Sequence, residues 1–229
     1  RDILIMKVYR DLVEEGVLVS KEIFDIAECT YTGKDMGERS ITATIEFATP
    51  IDFQIGDYIK LPMQNLIRST NGVNGSIASG SDEAEKFYIY TMPTMKKVAR
   101  AMSNGKAFEH NVTFQSAQYE LSCVQMRDLG NSLSADEITY TGFDSVSFNG
   151  GAKELMDRIM MVLKEAYHDS EGNPLWSYEI SDTVNEDVNL ALERFPISFS
   201  GNTVMDALLE LNNKETINTT FFINNRKIY

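Results

Sequence analysis

Phe108-Glu109-His110-Asn111-Val112-Thr113-Phe114-Gln115 alternates strictly, with Phe108, His110, Val112 and Phe114 on one side and Glu109, Asn111, Thr113 and Gln115 on the other. Successive side chains of an extended chain point to opposite faces, so this period of two spells a half-buried antiparallel strand. The pattern extends outward. Upstream, Lys86-Phe87-Tyr88-Ile89-Tyr90 reads as a second strand after a break. Downstream, a turn at Ser116-Ala117-Gln118 precedes Tyr119, Leu121 and Cys123, whose spacing predicts a third strand running towards Val124-Gln125-Met126-Arg127-Asp128. This order of segments points to an assembly part rather than an enzyme.

The first half continues in the same style. Residues 3–9 and one or two segments between Ser20 and Tyr31 read as strands, and Gly33-Lys34-Asp35-Met36-Gly37 as a turn. Ile41, Ala43, Ile45 and Phe47 alternate with Thr42, Thr44 and Glu46, a clear strand that Pro50 ends. Phe53 to Ile59 opens the next strand through a Gly56-Asp57 turn. The polar segment 66–85, rich in Gly, Ser and Asn from Ser69 onward, is too long for a tight turn and predicts an exposed loop. A β domain is therefore expected over residues 1–130.

The period changes in residues 131–229, which predict a smaller α+β domain. Ala152 to Tyr167 sets Leu155, Ile159, Val162, Leu163 and Ala166 on one helical face, and Asp169 to Pro174 reads as the loop that ends it. Leu175-Trp176-Ser177-Tyr178-Glu179-Ile180 predicts a strand, and an acidic connection from Asp182 to Glu193 leads to Phe195-Pro196-Ile197-Ser198-Phe199. A second helix starts after Asn202 as N-cap and carries Val204, Ala207, Leu208 and Leu211. Thr219 to Ile223, Asn224-Asn225 and Arg226 to Tyr229 read as a hairpin, with the Asn pair as its turn. The chain stops inside that last strand, which suggests a piece of a longer protein. The expected fold class is thus α+β and β-rich, with a barrel-like antiparallel domain followed by a domain of two helices and a C-terminal hairpin.

The charge balance, 34 acidic against 21 basic residues and a net of -13, argues against nucleic-acid binding and against an anionic membrane surface, both of which need clustered Lys and Arg. No stretch approaches the ~18–20 apolar residues that span a bilayer, and the opening segment is too short and too interrupted by charge for a signal peptide. Cys29 and Cys123 make no disulfide framework and read as small buried hydrophobes, so a reducing cytoplasm is the expected site of synthesis. The glycosylation-like triplets at Asn74, Asn111 and Asn218 read as chance matches, since Asn111 falls inside a strand.

The search for chemistry returns little. Of the two histidines, His110 lies on an aromatic strand face, as a satisfied core or interface histidine would, and His168 follows a helix, where an imidazolium suits the dipole. No HExxH and no paired Cys-x-x-Cys supports a metal site. Glycoside hydrolysis needs only two carboxylates about 5–9 Å apart, and Glu109, Glu120 and Asp128 are its nominal candidates. Gly142-Phe143-Asp144-Ser145-Val146-Ser147 lacks nucleophile-elbow spacing, and Gly150-Gly151 with Lys153 is no phosphate loop. No catalytic, cofactor-binding or metal-binding residue is assigned, and no cofactor is expected.

Several segments, taken in order, resemble the hub or tail-tip proteins of tailed bacteriophages, the group whose longer members carry a tail-associated lysozyme or endopeptidase. They are Arg39–Ile45 followed by Ile55–Ile59, then Phe87–Tyr90, and Val112–Phe114 with Tyr119–Leu121. Glu154–Ile159 leads to a strand containing Trp176, and Asn202–Leu208 leads to Phe222–Ile228. The resemblance covers most of the chain through loose patterns of turn and core residues. It implies a non-enzymatic, homotrimeric ring at the end of a tail tube, in a phage, a prophage or a contractile injection machine. Its partners would be its own copies and the neighbouring tail-tube and tail-tip proteins, in a virion tail assembled in the bacterial cytoplasm. DNA would cross the lumen without specific binding, and no membrane is involved. No lytic domain lies in these residues. The alternatives from other classes are a cell-wall-degrading enzyme fragment using surface carboxylates, or a carbohydrate-binding adhesin with a groove around Trp176.

Overall fold

A computed structural model describes residues 6–26, 30–32, 39–61, 84–99, 106–126, 146–150, 152–179, 195–199, 201–213 and 221–229. The chain forms two compact units, residues 1–117 and 118–229. It is β-rich, of the α+β class, and its first unit is a curled antiparallel half-barrel sheet.

That sheet has eight strands: β1 (Met6–Glu14), β2 (Val17–Ile26), β3 (Thr30–Thr32), β4 (Ser40–Phe47), β5 (Tyr58–Leu61), β6 (Glu85–Tyr88), β7 (Thr94–Ala99) and β8 (Lys106–Ser116). Their order is β2-β1-β5-β6-β8-β4-β3, with β7 added to β8. The alternation of β8 meets that of β4 in register, Ile41 opposite Phe114, Ala43 opposite Val112, Ile45 opposite His110 and Phe47 opposite Phe108. The other edge of β8 is shared by β7 at residues 106–111 and β6 at residues 115–116. Val8, Ile59 and Phe87 continue the inward row across β1, β5 and β6. With Met6, Ile26, Ile41, Phe53, Ile89, Val112 and Phe114 they form one buried cluster, each large side chain of which contributes about 1.5–3 kcal/mol.

Four features of this unit depart from the sequence-based expectation. The first strand runs to Glu14 rather than Tyr9, and β2 begins at Val17. Glu15 and Gly16, at φ 51° and 80°, supply the two left-handed positions of the turn between them. β7 was not anticipated; its Lys96 and Lys97 suit an exposed edge strand. Glu85, expected at the end of an exposed loop, is a buried residue of β6. The remainder of that loop up to residue 83 lies outside the described residues.

The second unit contains, among the described residues, α1 (Gln118–Cys123), β9 (Val146–Gly150), α2 (Ala152–Ala166), β10 (Ser177–Tyr178), β11 (Phe195–Phe199), α3 (Val204–Asn213), β12 (Ile223–Asn224) and β13 (Lys227–Ile228). β9 and β11 pair antiparallel, β10 pairs parallel with β13, and β12 pairs antiparallel with β13. The segment expected as a strand at 119–123 is helical, because Gln118, Glu120 and Leu121 turn inward at helical spacing and Cys123 outward. Leu155, Ile159, Val162 and Leu163 of α2 are buried as expected, whereas Ala166 is exposed. The cap of α3 is Thr203, not Asn202. Thr203 Oγ1 accepts from the Asp206 N–H at 3.2 Å, and Asp206 Oδ2 accepts from the Thr203 N–H at 2.8 Å, a reciprocal capping box. The final turn is Asn225-Arg226, one residue later than expected, with Asn225 at φ 52°.

Candidate functional site

The β1–β2 hairpin is anchored at its base and bare at its end. β1 pairs with β5 only at Val8 and Tyr9. On the outer face of that pairing Tyr9, Tyr58, Tyr88 and Tyr90 run as a ladder, with ring centroids 5.7, 5.6 and 6.0 Å apart in turn. Lys60 Nζ lies 4.7 Å above Tyr9 and Lys86 Nζ 4.6 Å above Tyr58, the geometry of cation–π attraction. Arg10 then clamps the hairpin to the loop before β5, donating from Nε and Nη2 to Asp57 at 2.7 and 2.8 Å and from Nη2 to the Asp52 carbonyl at 2.6 Å. Asp57 also accepts the Gln54 N–H at 2.7 Å, and Gly56 reaches φ +93° so that the loop can close. Burial raises the Asp11 carboxyl, but hydrogen bonds from Ser20 and Tyr58 outweigh it and hold the group below the usual carboxylate range. Burial, with Asp11 beside it, pushes the Tyr58 hydroxyl up to about 12.

Beyond this clamp the two strands pair, among the described residues, only with each other. Val13, Val17 and Leu18 are 71%, 63% and 67% exposed, and Leu12 is also exposed. Val13 and Leu18 oppose each other on one face, and Leu12 pairs with Val19 on the other, so the tip is apolar on both sides. The arm thus presents an apolar tip to solvent. The sequence carries its signal in Leu12-Val13 and Val17-Leu18-Val19 around Glu15-Gly16, which the segment-by-segment reading passed over.

The residues singled out for chemistry each have a local setting of their own. Glu109 lies on the outward side of β8, 2.7 Å from Lys96 Nζ, and that hydrogen bond holds its carboxyl below the usual range, the reverse of what a general acid needs. Glu120 belongs to the other unit, and Asp128 lies outside the described residues. His110 is buried; its Nε2 accepts the Ile51 N–H at 3.1 Å, and its ring meets Phe53 edge-on at 5.9 Å. His168 Nδ1 sits 3.0 Å from the Lys164 carbonyl in the last turn of α2, where an N–H donor satisfies a free helix-end oxygen. Cys123, expected buried, is exposed, and Cys29 lies outside the described residues. Among the described residues no group of three or more His, Cys, Asp or Glu side chains is placed to hold a metal, and no helix is long and apolar enough to cross a membrane.

The second unit holds a polar network around the buried Glu120. Glu120 accepts Trp176 Nε1–H at 2.8 Å and Arg226 Nε–H and Nη2–H at 3.0 and 2.7 Å. Trp176 is buried, so it offers no open ring face on which a sugar could stack. Burial, with Glu120 nearby, pushes the Tyr167 hydroxyl up to about 12. This network fastens α1, the Trp176 segment and the last turn to one another.

No protein-family model, no curated protein and no solved structure matches the chain.

Proposed function

We propose that the chain is a structural part of a phage or prophage tail, or of a related injection machine, forming a hub ring that adapts the tail tube to the tail tip. The observation that carries this reading is the braced β1–β2 arm, whose apolar tip lies outside the core of its own unit. A half-barrel sheet carrying such an arm suits repeated contact between copies. The net charge of -13 suits a lumen from which DNA must not be retained. The resemblance of the ordered segments to tail hubs supplies the identity of the ring, its threefold symmetry and its neighbours.

Light scattering on the purified chain over a concentration series tests it. The expected result is a discrete species near 77 kDa, three times the 25.8 kDa chain. A strict monomer at every concentration contradicts the ring.

A further inference from the structure

We infer that the contact between copies is heterologous and lies within residues 1–117: the apolar tip of the β1–β2 arm of one copy seats on the Phe47–Met95 rim of the next. This rests on the ring reading above and adds to it which surfaces meet.

The rim is the place where the core row of the half-barrel reaches solvent. Phe47 and Met95 flank β8, opposite Phe108 and His110 respectively, and so share the side of the sheet that carries the core. His110 is buried, yet Phe47 and Met95 are 45% and 52% exposed. Phe47 packs edge-on against Phe24 at 5.4 Å, which holds its ring in place without covering it. The first unit therefore has a projecting apolar tip and a separate apolar rim, and neither covers the other in the same chain.

The two patches carry charges of both signs, but the residues left without a salt-bridge partner among the described ones are opposite in sign, Glu15 at the tip and Lys97 at the rim. Glu14 and Glu15 stand at the tip, with Glu14 ion-paired to Lys21. Lys96 and Lys97 flank Met95 on β7. Lys96 is paired with Glu109, while Lys97 lies 5.8 Å over the Phe108 ring and has no carboxylate partner among the described residues. Glu15 likewise has no basic partner among them. Seating the tip on the rim brings Glu15 towards Lys97 and removes both apolar patches from water. Each copy has one tip and one rim, so the contact propagates head to tail and gives a ring when the rotation between successive copies closes, whereas tip-to-tip pairing would leave every rim exposed.

The test uses two variants of the whole chain, V13S/L18S at the tip and M95S at the rim, all exposed positions whose folding is checked by circular dichroism. Each variant alone is expected to associate at least about thirtyfold more weakly than the unaltered chain, as loss of a central interface anchor would cause. Mixed together they should form a dimer and nothing larger, because the tip variant keeps an intact rim and the rim variant an intact tip. In a single chain, K97E should weaken association and E15K should restore it. An unaltered chain that assembles while both variants assemble equally well overturns this inference and leaves the ring standing. Two weakened variants that fail to pair when mixed also overturn it, since they indicate a self-complementary contact. A monomeric unaltered chain removes the ring itself.

Discussion

Each unit buries a glutamate opposite an arginine, and the two pairs are built differently. Glu85 and Glu120 are both 1% exposed. Glu120 is met by three N–H donors, two from Arg226 and one from Trp176. Glu85 has Arg39 Nη2 at 2.6 Å from Oε1, yet neither of its oxygens completes a hydrogen bond among the described residues. Burial consequently pushes the Glu85 carboxyl up to about 7, although the Arg39 charge opposes the rise. Proximity of opposite charges does not replace lost hydration. At Glu85 that cost is left without the directed hydrogen bonds that meet the Glu120 oxygens.

The largest effect that would break this contrast is in the second unit. Arg226→Met removes two N–H donors and the facing positive charge from the buried Glu120 carboxylate, and should cost about 3 kcal/mol in denaturant unfolding at neutral pH. A cost near zero would mean that Glu120 does not depend on its arginine. Glu85 predicts a pH dependence of similar size and particular sign. Its folded pKa of about 7 lies above the ordinary 4.5, so the folded chain holds a proton that the unfolded chain has lost. Stability from this group is full below pH 4.5 and falls as pH rises towards 7, by roughly 3 kcal/mol in total. Glu85→Gln mimics the protonated group, so unfolding curves at pH 5 and pH 8 should show the variant gaining on the unaltered chain at the higher pH. A constant difference would contradict the assignment. Trp176→Phe puts a smaller ring in the buried indole's place and deletes one donor to Glu120, for at least about 1–2 kcal/mol. At the small end, Lys96→Ala removes a solvent-exposed partner of Glu109 and should leave the unfolding midpoint unchanged within measurement.

The sequence displayed what is local and periodic. The alternation of Ile41 and Ala43 against Val112 and Phe114 placed β4 and β8, and the spacing of Leu155, Ile159, Val162 and Leu163 placed α2. Ambiguity entered where a segment was short. Tyr119, Leu121 and Cys123 alternate like a strand, but six residues are too few to separate period 2 from 3.6, and long-range partners decided. Glu120 finds Arg226 at a separation of 106 residues, which no local window can show. The arm was hidden for another reason. A glutamate at φ 51° is an uncommon turn residue, so Glu15-Gly16 carries a weaker signal than Asn-Gly. The rim had no sequence signal, since Phe47 continues the inward alternation of Ile41 and Ala43, and Met95 lies on an edge strand with no buried row of its own.

The central claim is closure, and native mass spectrometry of the intact chain tests it most directly. A closed ring predicts one dominant assembly of three chains, about 77 kDa from copies of 25.8 kDa, that does not grow with concentration. A monomer throughout, or an open ladder that lengthens as concentration rises, would contradict it.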